Sequence, residues 1–133
     1  MTKRAVNPST LSTPRGFSHA IEASGRRLLF LAGQVAFDQD GRVVGQKDLP
    51  AQFRQVMENL KTVVEAGGGT LRDIVKLTIY VLDKTLYQSN EKVIGQIYRE
   101  YFGRYYPAMT LVEVQRLYDD GCMIEIDGIA VLE

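Results

Sequence analysis

The sequence predicts an α+β domain in which two helices cover one face of a β-sheet. Three observations carry this. Two stretches repeat apolar residues at helical spacing, and each is closed by glycine. Five short runs are apolar, alternating or rich in β-branched and aromatic residues. They interleave with the helices in the order β-β-α-β-α-β-β.

Residues 1–15 hold Pro8 and Pro14 among Asn, Ser and Thr, and read as an extended, partly mobile lead-in to a single domain at 16–133. Phe17, His19, Ile21 and Ala23 alternate with Ser18, Ala20 and Glu22, as in a strand, and Ser24-Gly25 is a turn signal. Leu28 to Ala32 is a short apolar run ending in Gly33-Gln34, a strand buried on both faces. Asp38-Gln39-Asp40-Gly41 is a second turn. Asp48 is placed to cap the first helix, and Pro50 suits its first turn. Phe53, Val56, Met57, Leu60, Val63 and Val64 form one stripe, and Gly67-Gly68-Gly69 ends the helix.

Ile74 to Leu82 reads as a central strand. A second helix starts at about Ser89 or Asn90. It carries Val93, Ile94, Ile97, Tyr98, Tyr101 and Phe102 on one stripe and ends at Gly103. Two strands remain, about Met109 to Leu117 and Cys122 to Leu132, joined as a hairpin by Tyr118-Asp119-Asp120-Gly121. The late strands are apolar at both alternating sets of positions: Leu111 and Leu117 on one, Val112 and Val114 on the other. Such a sheet needs a second cover, and no sequence remains to supply it. Another copy of the chain is the simplest cover, so a homo-oligomer is expected; a monomer with a partly wet sheet is the alternative.

The chain has 133 residues, 45% hydrophobic and 24% charged, as expected of a folded soluble domain. Lys+Arg and Asp+Glu are both 16, so no net charge favours nucleic acid or anionic membrane, and neither is expected as a partner. No apolar run is long enough for a signal peptide or a membrane span. One cysteine excludes an intrachain disulfide, and one histidine excludes a paired-histidine metal helix. A reducing, cytoplasmic setting suits this composition.

Few residues announce chemistry. Cys122 with His19 as base is a weak nucleophile pair that sequence cannot bring together, and a structural cysteine is the plainer reading. Glu125 and Asp127, two apart on a strand, share a face about 7 Å apart, with Glu113 expected on the partner strand of the hairpin. These acids suit a general base, or equally a solvated face with cross-strand partners such as Arg116. Gly67-Gly68-Gly69 follows a helix and is no phosphate loop. Tyr98, Tyr101, Tyr105 and Tyr106 fit core packing better than base stacking.

Several segments together resemble the RidA/YjgF family. Leu31-Ala32-Gly33-Gln34 is similar to its "SGQ" strand end. Asn59-Leu60, Glu65-Ala66-Gly67-Gly68 and Asp73-Ile74-Val75-Lys76-Leu77-Thr78 follow in the family's order. Tyr106-Pro107-Ala108, Val112-Glu113-Val114 and Ile124-Glu125-Ile126-Asp127-Gly128-Ile129-Ala130 complete the likeness, which runs from about Gly16 to Val131. The resemblance implies a chorismate-mutase-like fold, with a mixed β-sheet, two helices on one face, and three chains forming a barrel. It further implies small-molecule clefts between subunits and hydrolysis of enamine/imine metabolites such as 2-aminoacrylate to 2-oxo acids and ammonia, without a cofactor. Some family members also carry an endoribonuclease label.

Carried over by position, the family's catalytic glutamate falls on Glu125. Its substrate-binding glycine falls on Gly33, and its aromatic on Phe17. The departures concern the clamp. The family's Pro-Ala-Arg is Pro107-Ala108-Met109 here, the small polar or cysteine residue two places on is Leu111, and an asparagine of the second helix is Gly95. Met109 offers no charge and no donor, so a substrate carboxylate beside it loses its counter-charge. The expectation is a hydrolytic deaminase with an altered substrate, Arg26, Arg27 or Arg116 being the arginines that could stand in for the clamp. A non-catalytic ligand-binding trimer is the alternative, and an endoribonuclease a weaker one.

Overall fold

The computed structural model describes residues 2–133; Met1, the first residue of the expected lead-in, lies outside them. The chain forms strands β1 (Thr2–Val6), β2 (Ala20–Ser24) and β3 (Arg27–Gln34), then helix α1 (Leu49–Ala66). A short 3-10 turn (Leu71–Asp73) leads into β4 (Ile74–Val81). Helices α2 (Lys84–Ser89) and α3 (Glu91–Phe102) follow, then β5 (Ala108–Glu113) and β6 (Ile124–Leu132). Strands β3, β6, β4 and β5 make a four-stranded mixed sheet in that order, and β1 pairs with β2 in a separate antiparallel ribbon. The lead-in is thus extended over Thr2–Val6 and paired there. No helix is long and apolar enough to cross a membrane.

The expected α+β class, mixed sheet and helical cover are all present. The first helix begins where its signals place it: Asp48 accepts from Ala51 N at 3.1 Å, and Pro50 occupies the first turn. Its stripe of Phe53, Val56, Met57, Leu60 and Val64 packs on the sheet through Leu31, Leu77, Ile79, Ile124 and Ile126. A separate short helix α2, capped by Asp83 accepting from Leu86 N at 2.9 Å, precedes α3, where a single helix is expected from the apolar stripe. The strand expected from Phe17 starts at Ala20. The strand expected to reach Leu117 stops at Glu113, and the last strand starts at Ile124 rather than Cys122.

The larger correction concerns the last two strands. They are not a hairpin. β4 lies between them, pairing parallel with β5 (Leu77 opposite Met109) and antiparallel with β6 (Tyr80 opposite Glu125). The Tyr118–Gly121 turn signal is real: Cys122 N bonds Asp119 O at 3.0 Å and Gly121 N bonds Asp119 Oδ1 at 2.9 Å. A turn reverses the chain but does not choose its neighbour in the sheet. Here the residues after β5 cross β4 before β6 begins.

One buried polar side chain fixes where β6 starts. Gln52 is fully buried on the apolar stripe of α1. Its amide nitrogen donates to Gly45 O at 3.1 Å and Gly121 O at 3.0 Å, and its carbonyl oxygen accepts from Met123 N at 2.8 Å. Asn59, two turns on, donates to Val35 O and Phe37 O, both at 3.0 Å. These amides satisfy backbone groups that no strand or helix pairs. Gln52→Leu nearly keeps the volume and strands Gly121 O and Met123 N, while Gly45 O keeps its bond from Asp48 N. We expect it to lower unfolding free energy by about 2–4 kcal/mol in urea titrations, more than an exposed Gln→Leu change.

Candidate functional site

The pairing of β3 with β6 is regular from Arg27–Leu132 to Leu31–Gly128 and resumes at Gln34–Ile126. Ala32 and Gly33 therefore stand opposite the single residue Asp127, a β-bulge. The bulge brings Gly33 onto Glu125. A Cβ on Gly33 would lie 1.9 Å from Oε2 and 2.8 Å from Cδ of Glu125. A side chain at this position would displace the Glu125 carboxylate. Among the described residues Glu125 makes no side-chain hydrogen bond, so its oxygens remain open to a ligand or water.

Asp127 shares that face, as expected, but is engaged. Tyr80 Oη donates to Asp127 Oδ2 at 3.1 Å, and this bond raises the phenol above its ordinary range. Glu113 does not join the two acids. It sits at the far end of β5 opposite Val81, where its Oε1 accepts from Lys84 N at 3.3 Å. Arg116 is not a cross-strand partner either: it bonds Asp120 at 2.6 Å, with both side chains exposed.

Met109 lies on the other face of the sheet. It stands opposite Leu77, whose side chain is buried under the helices, and Leu111 stands opposite Ile79 at the sheet edge, 39% exposed. Met109 and Gly95 line a cavity of about 450 Å³ between β4, β5 and the helices. Met57, Leu77, Ile79 and Ile94 form its apolar base, and Arg15, Tyr87, Glu91 and Arg99 stand around its mouth. One wall is a ring stack: Tyr98 lies 4.6 Å from Phe102 and 5.1 Å from Tyr106, centroid to centroid, and Tyr98 Oη donates to Tyr105 O at 2.6 Å.

Phe17 lines a neighbouring cleft that shares Tyr106 as a wall. It is held there because Ser18 is stitched to the strand entrance: Ser18 N bonds Pro107 O at 3.0 Å, and Ser18 Oγ donates to Tyr106 O at 2.6 Å. The ring of Phe17 meets His19 edge-on at 5.3 Å.

Within one chain the site residues thus form two groups. Gly33 and Glu125 meet on the open face, while Met109, with Phe17 nearby, belongs to the helix-side cavity. The two cannot touch one ligand in the same chain, because Ile126 lines the cavity while its neighbours Glu125 and Asp127 point away from it. Of the expected stand-in arginines, none lines the cavity. Arg27 donates to Glu133 O at 2.9 Å and Gly67 O at 3.0 Å, Arg116 is held by Asp120, and Arg26 is exposed at the start of β3. The arginines at the cavity are Arg99 and Arg15, both of which sequence reasoning missed. For Arg99 the signal was present as Gly95 four residues earlier on the same helix. Cys122 is fully buried, with its thiol pushed up to about 11 by burial and nearby Asp119, and His19 bonds Ser12 O at 2.7 Å, so they form no nucleophile pair.

This mixed sheet, with its helical cover and the bulged Gly33 over Glu125, defines a Rid-type domain, and the comparisons agree. The Endoribonuclease L-PSP family model matches residues 8–132, and the chain belongs to that family, the RidA/YjgF family. A RutC family protein of Pyrococcus horikoshii is 39% identical over 88% of this chain and 87% of its own length. A second, from Pyrococcus abyssi, is 34% identical over the full length of both. Among solved structures, the Rid family protein YyfB of Yersinia pestis, of unknown function, superposes with a TM-score of 0.89 at 40% identity, over 99% of this chain and 100% of that one. RidA of an Antarctic Psychrobacter superposes with a TM-score of 0.67 at 28% identity, over 90% and 91%.

The tyrosine wall sets a pH response. Burial raises the Tyr87 phenol to about 12 and moves Tyr98 and Tyr105 further in the same direction. A phenol raised in the folded state stabilises the fold fully below its unfolded pKa, about 10, and loses that contribution as pH rises towards the folded value. Urea midpoints are expected to be level from pH 8 to about 10 and to fall steeply above it, with a shallower fall in Tyr98→Phe. Equal alkaline slopes in the two proteins would contradict this.

Proposed function

We propose that the chain is a RidA-like hydrolytic deaminase of reactive enamine/imine metabolites, working in the cytoplasm as a homotrimer with ligand clefts between copies. The observation that carries this reading is the Glu125 carboxylate seated on Gly33, with no hydrogen bond to its oxygens among the described residues. A ligand reaches both this carboxylate and the Met109 cavity only if the two come from different copies, as clefts between subunits would arrange. The edge of β5 carries the cavity, and the open face of β3 and β6 carries Glu125, so the two surfaces are available to meet.

The chemistry needs one proton carrier. Glu125 takes a proton from water as the water oxygen bonds to the imine carbon and the C=N electron pair moves to nitrogen. The carbinolamine then collapses. By then Glu125 has passed its proton to the nitrogen; it takes the hydroxyl proton as the carbonyl forms and gives that one to the nitrogen as well while the C–N bond breaks, so ammonia departs. The sum is one imine and one water giving one carbonyl compound and one ammonia. Met109 beside the reacting group removes the charge that 2-aminoacrylate needs, so a more apolar substrate is favoured.

A second reading, a ligand-binding trimer without turnover, is supported by the same Met109. An endoribonuclease reading has the family model's description behind it but no histidine pair and no excess of positive charge. The test is ammonia release from freshly generated imines: 2-aminoacrylate, and the imine formed by oxidising leucine. Wild type is expected to favour the leucine-derived imine, Glu125→Gln to lose about 100-fold or more, and Met109→Arg to gain activity on 2-aminoacrylate. Folded oligomers that release no ammonia above the uncatalysed rate would leave the binding reading instead.

A further inference from the structure

The cavity beside Met109 is apolar at its base and cationic at its mouth. Met57, Leu77, Ile94 and Met109 supply the base, whereas Arg99 and Arg15 face a single acid, Glu91, around the opening. Three surface arginines have their charge answered by a neighbouring acid: Arg54 by Glu100 at 2.6 Å, Arg116 by Asp120 at 2.6 Å, Arg4 by Glu22 at 2.8 Å. Neither Arg99 nor Arg15 has a hydrogen bond or ion pair among the described residues.

Arg99 is also positioned. It lies one turn beyond Gly95 on α3, and its guanidinium folds back over that glycine. A Cβ on Gly95 would come within 3.2 Å of Nη1 and 4.0 Å of Nη2. Glycine inside a helix is destabilising relative to alanine. Here its missing side chain leaves the space over which the guanidinium of the exposed Arg99 sits, at the cavity mouth. Glycine at 95 and methionine at 109 therefore act as a pair: one gives Arg99 a seat, and the other keeps the cavity base apolar.

We infer that Arg99, assisted by Arg15, holds the carboxylate of an apolar monocarboxylate, a 2-oxo or 2-imino acid with a branched or aromatic side chain, whose hydrocarbon body fills the cavity against Met109. The counter-charge is moved from strand β5 to helix α3. A planar guanidinium matches a carboxylate bidentately, and a cavity of about 450 Å³ suits a ligand of this size. Turnover of the imino acid rests on the deaminase reading; binding of the oxo acid does not.

The test uses 4-methyl-2-oxopentanoate as probe and 4-methylpentan-2-one, the same carbon body without a carboxylate, as control. Calorimetric or NMR titration of the wild-type protein is expected to show the acid binding at least about 10-fold more tightly than the ketone. Arg99→Gln removes that preference and leaves ketone binding unchanged, and Arg99→Lys restores part of it. Gly95→Asn, which fills the seat, weakens acid binding with the arginine still present. Equal affinity for acid and ketone in wild type, no binding of either, or an Arg99→Gln variant that keeps the acid preference would overturn the inference. Ammonia release separates the two readings. Oxo-acid binding lost in Arg99→Gln, without turnover of the imine by wild type, upholds the inference and removes the deaminase. Turnover indifferent to Arg99 does the reverse.

Discussion

The register of β6 is the constraint from which the site follows. This strand is paired on both sides, with β3 and with β4, and its side chains alternate strictly between the helix-covered core and the open face. A slip of one residue would bury Glu125 and Asp127 and expose Ile124 and Ile126. Two devices hold the register. Gln52 fixes the backbone at Gly121 and Met123, just before the strand begins. The bulge at Ala32–Gly33 absorbs one extra residue in β3 and seats Gly33 on Glu125.

The same alternation separates the working groups. Glu125 belongs to one face and Ile126, with the cavity, to the other. The open face is also apolar beyond its acids: Phe30, opposite Ile129, is 70% exposed, and Leu28 is 62% exposed on the same strand. Large apolar residues so exposed on the face that carries Glu125 fit the proposed packing of sheets into a trimer. In that assembly the surface that hides Phe30 and Leu28 is the surface that brings a cavity up to Glu125. Oligomerisation and site formation are then one event.

Much of the fold was legible in the sequence because it rests on local signals. The stripe from Phe53 to Val64, the Asp48 cap and the glycine stop specify α1 without reference to the rest of the chain. The last strands depart from the expected hairpin because Asp119-Asp120-Gly121 marks a turn, and a turn between two alternating runs implies a hairpin unless a third strand intervenes. Nothing local in Met109–Glu113 says that its partner is β4, parallel and thirty-odd residues earlier. The core amide Gln52 was overlooked because a polar residue on an apolar stripe reads as surface until its three backbone partners are seen. Glu125 rested on family resemblance; spacing alone left it level with Asp127. The structure parts them, since Asp127 is bonded to Tyr80 and Glu125 is not. Arg99 was readable as a partner of Gly95 four residues away, but only the fold shows that this helix face borders a cavity.

The claim that one cleft is built from two copies is tested most directly by complementation. Chains carrying Glu125→Gln and chains carrying Ile94→Trp, which fills the cavity, are unfolded together, refolded as mixed oligomers and assayed for ammonia release from the leucine-derived imine. The account predicts two inactive parents and a mixture with about a quarter of wild-type activity, because in random assembly about one cleft in four joins an intact cavity to an intact glutamate. A mixture as silent as its parents, with hybrids confirmed by native mass spectrometry and wild type active, would contradict it and place the whole site within a single chain.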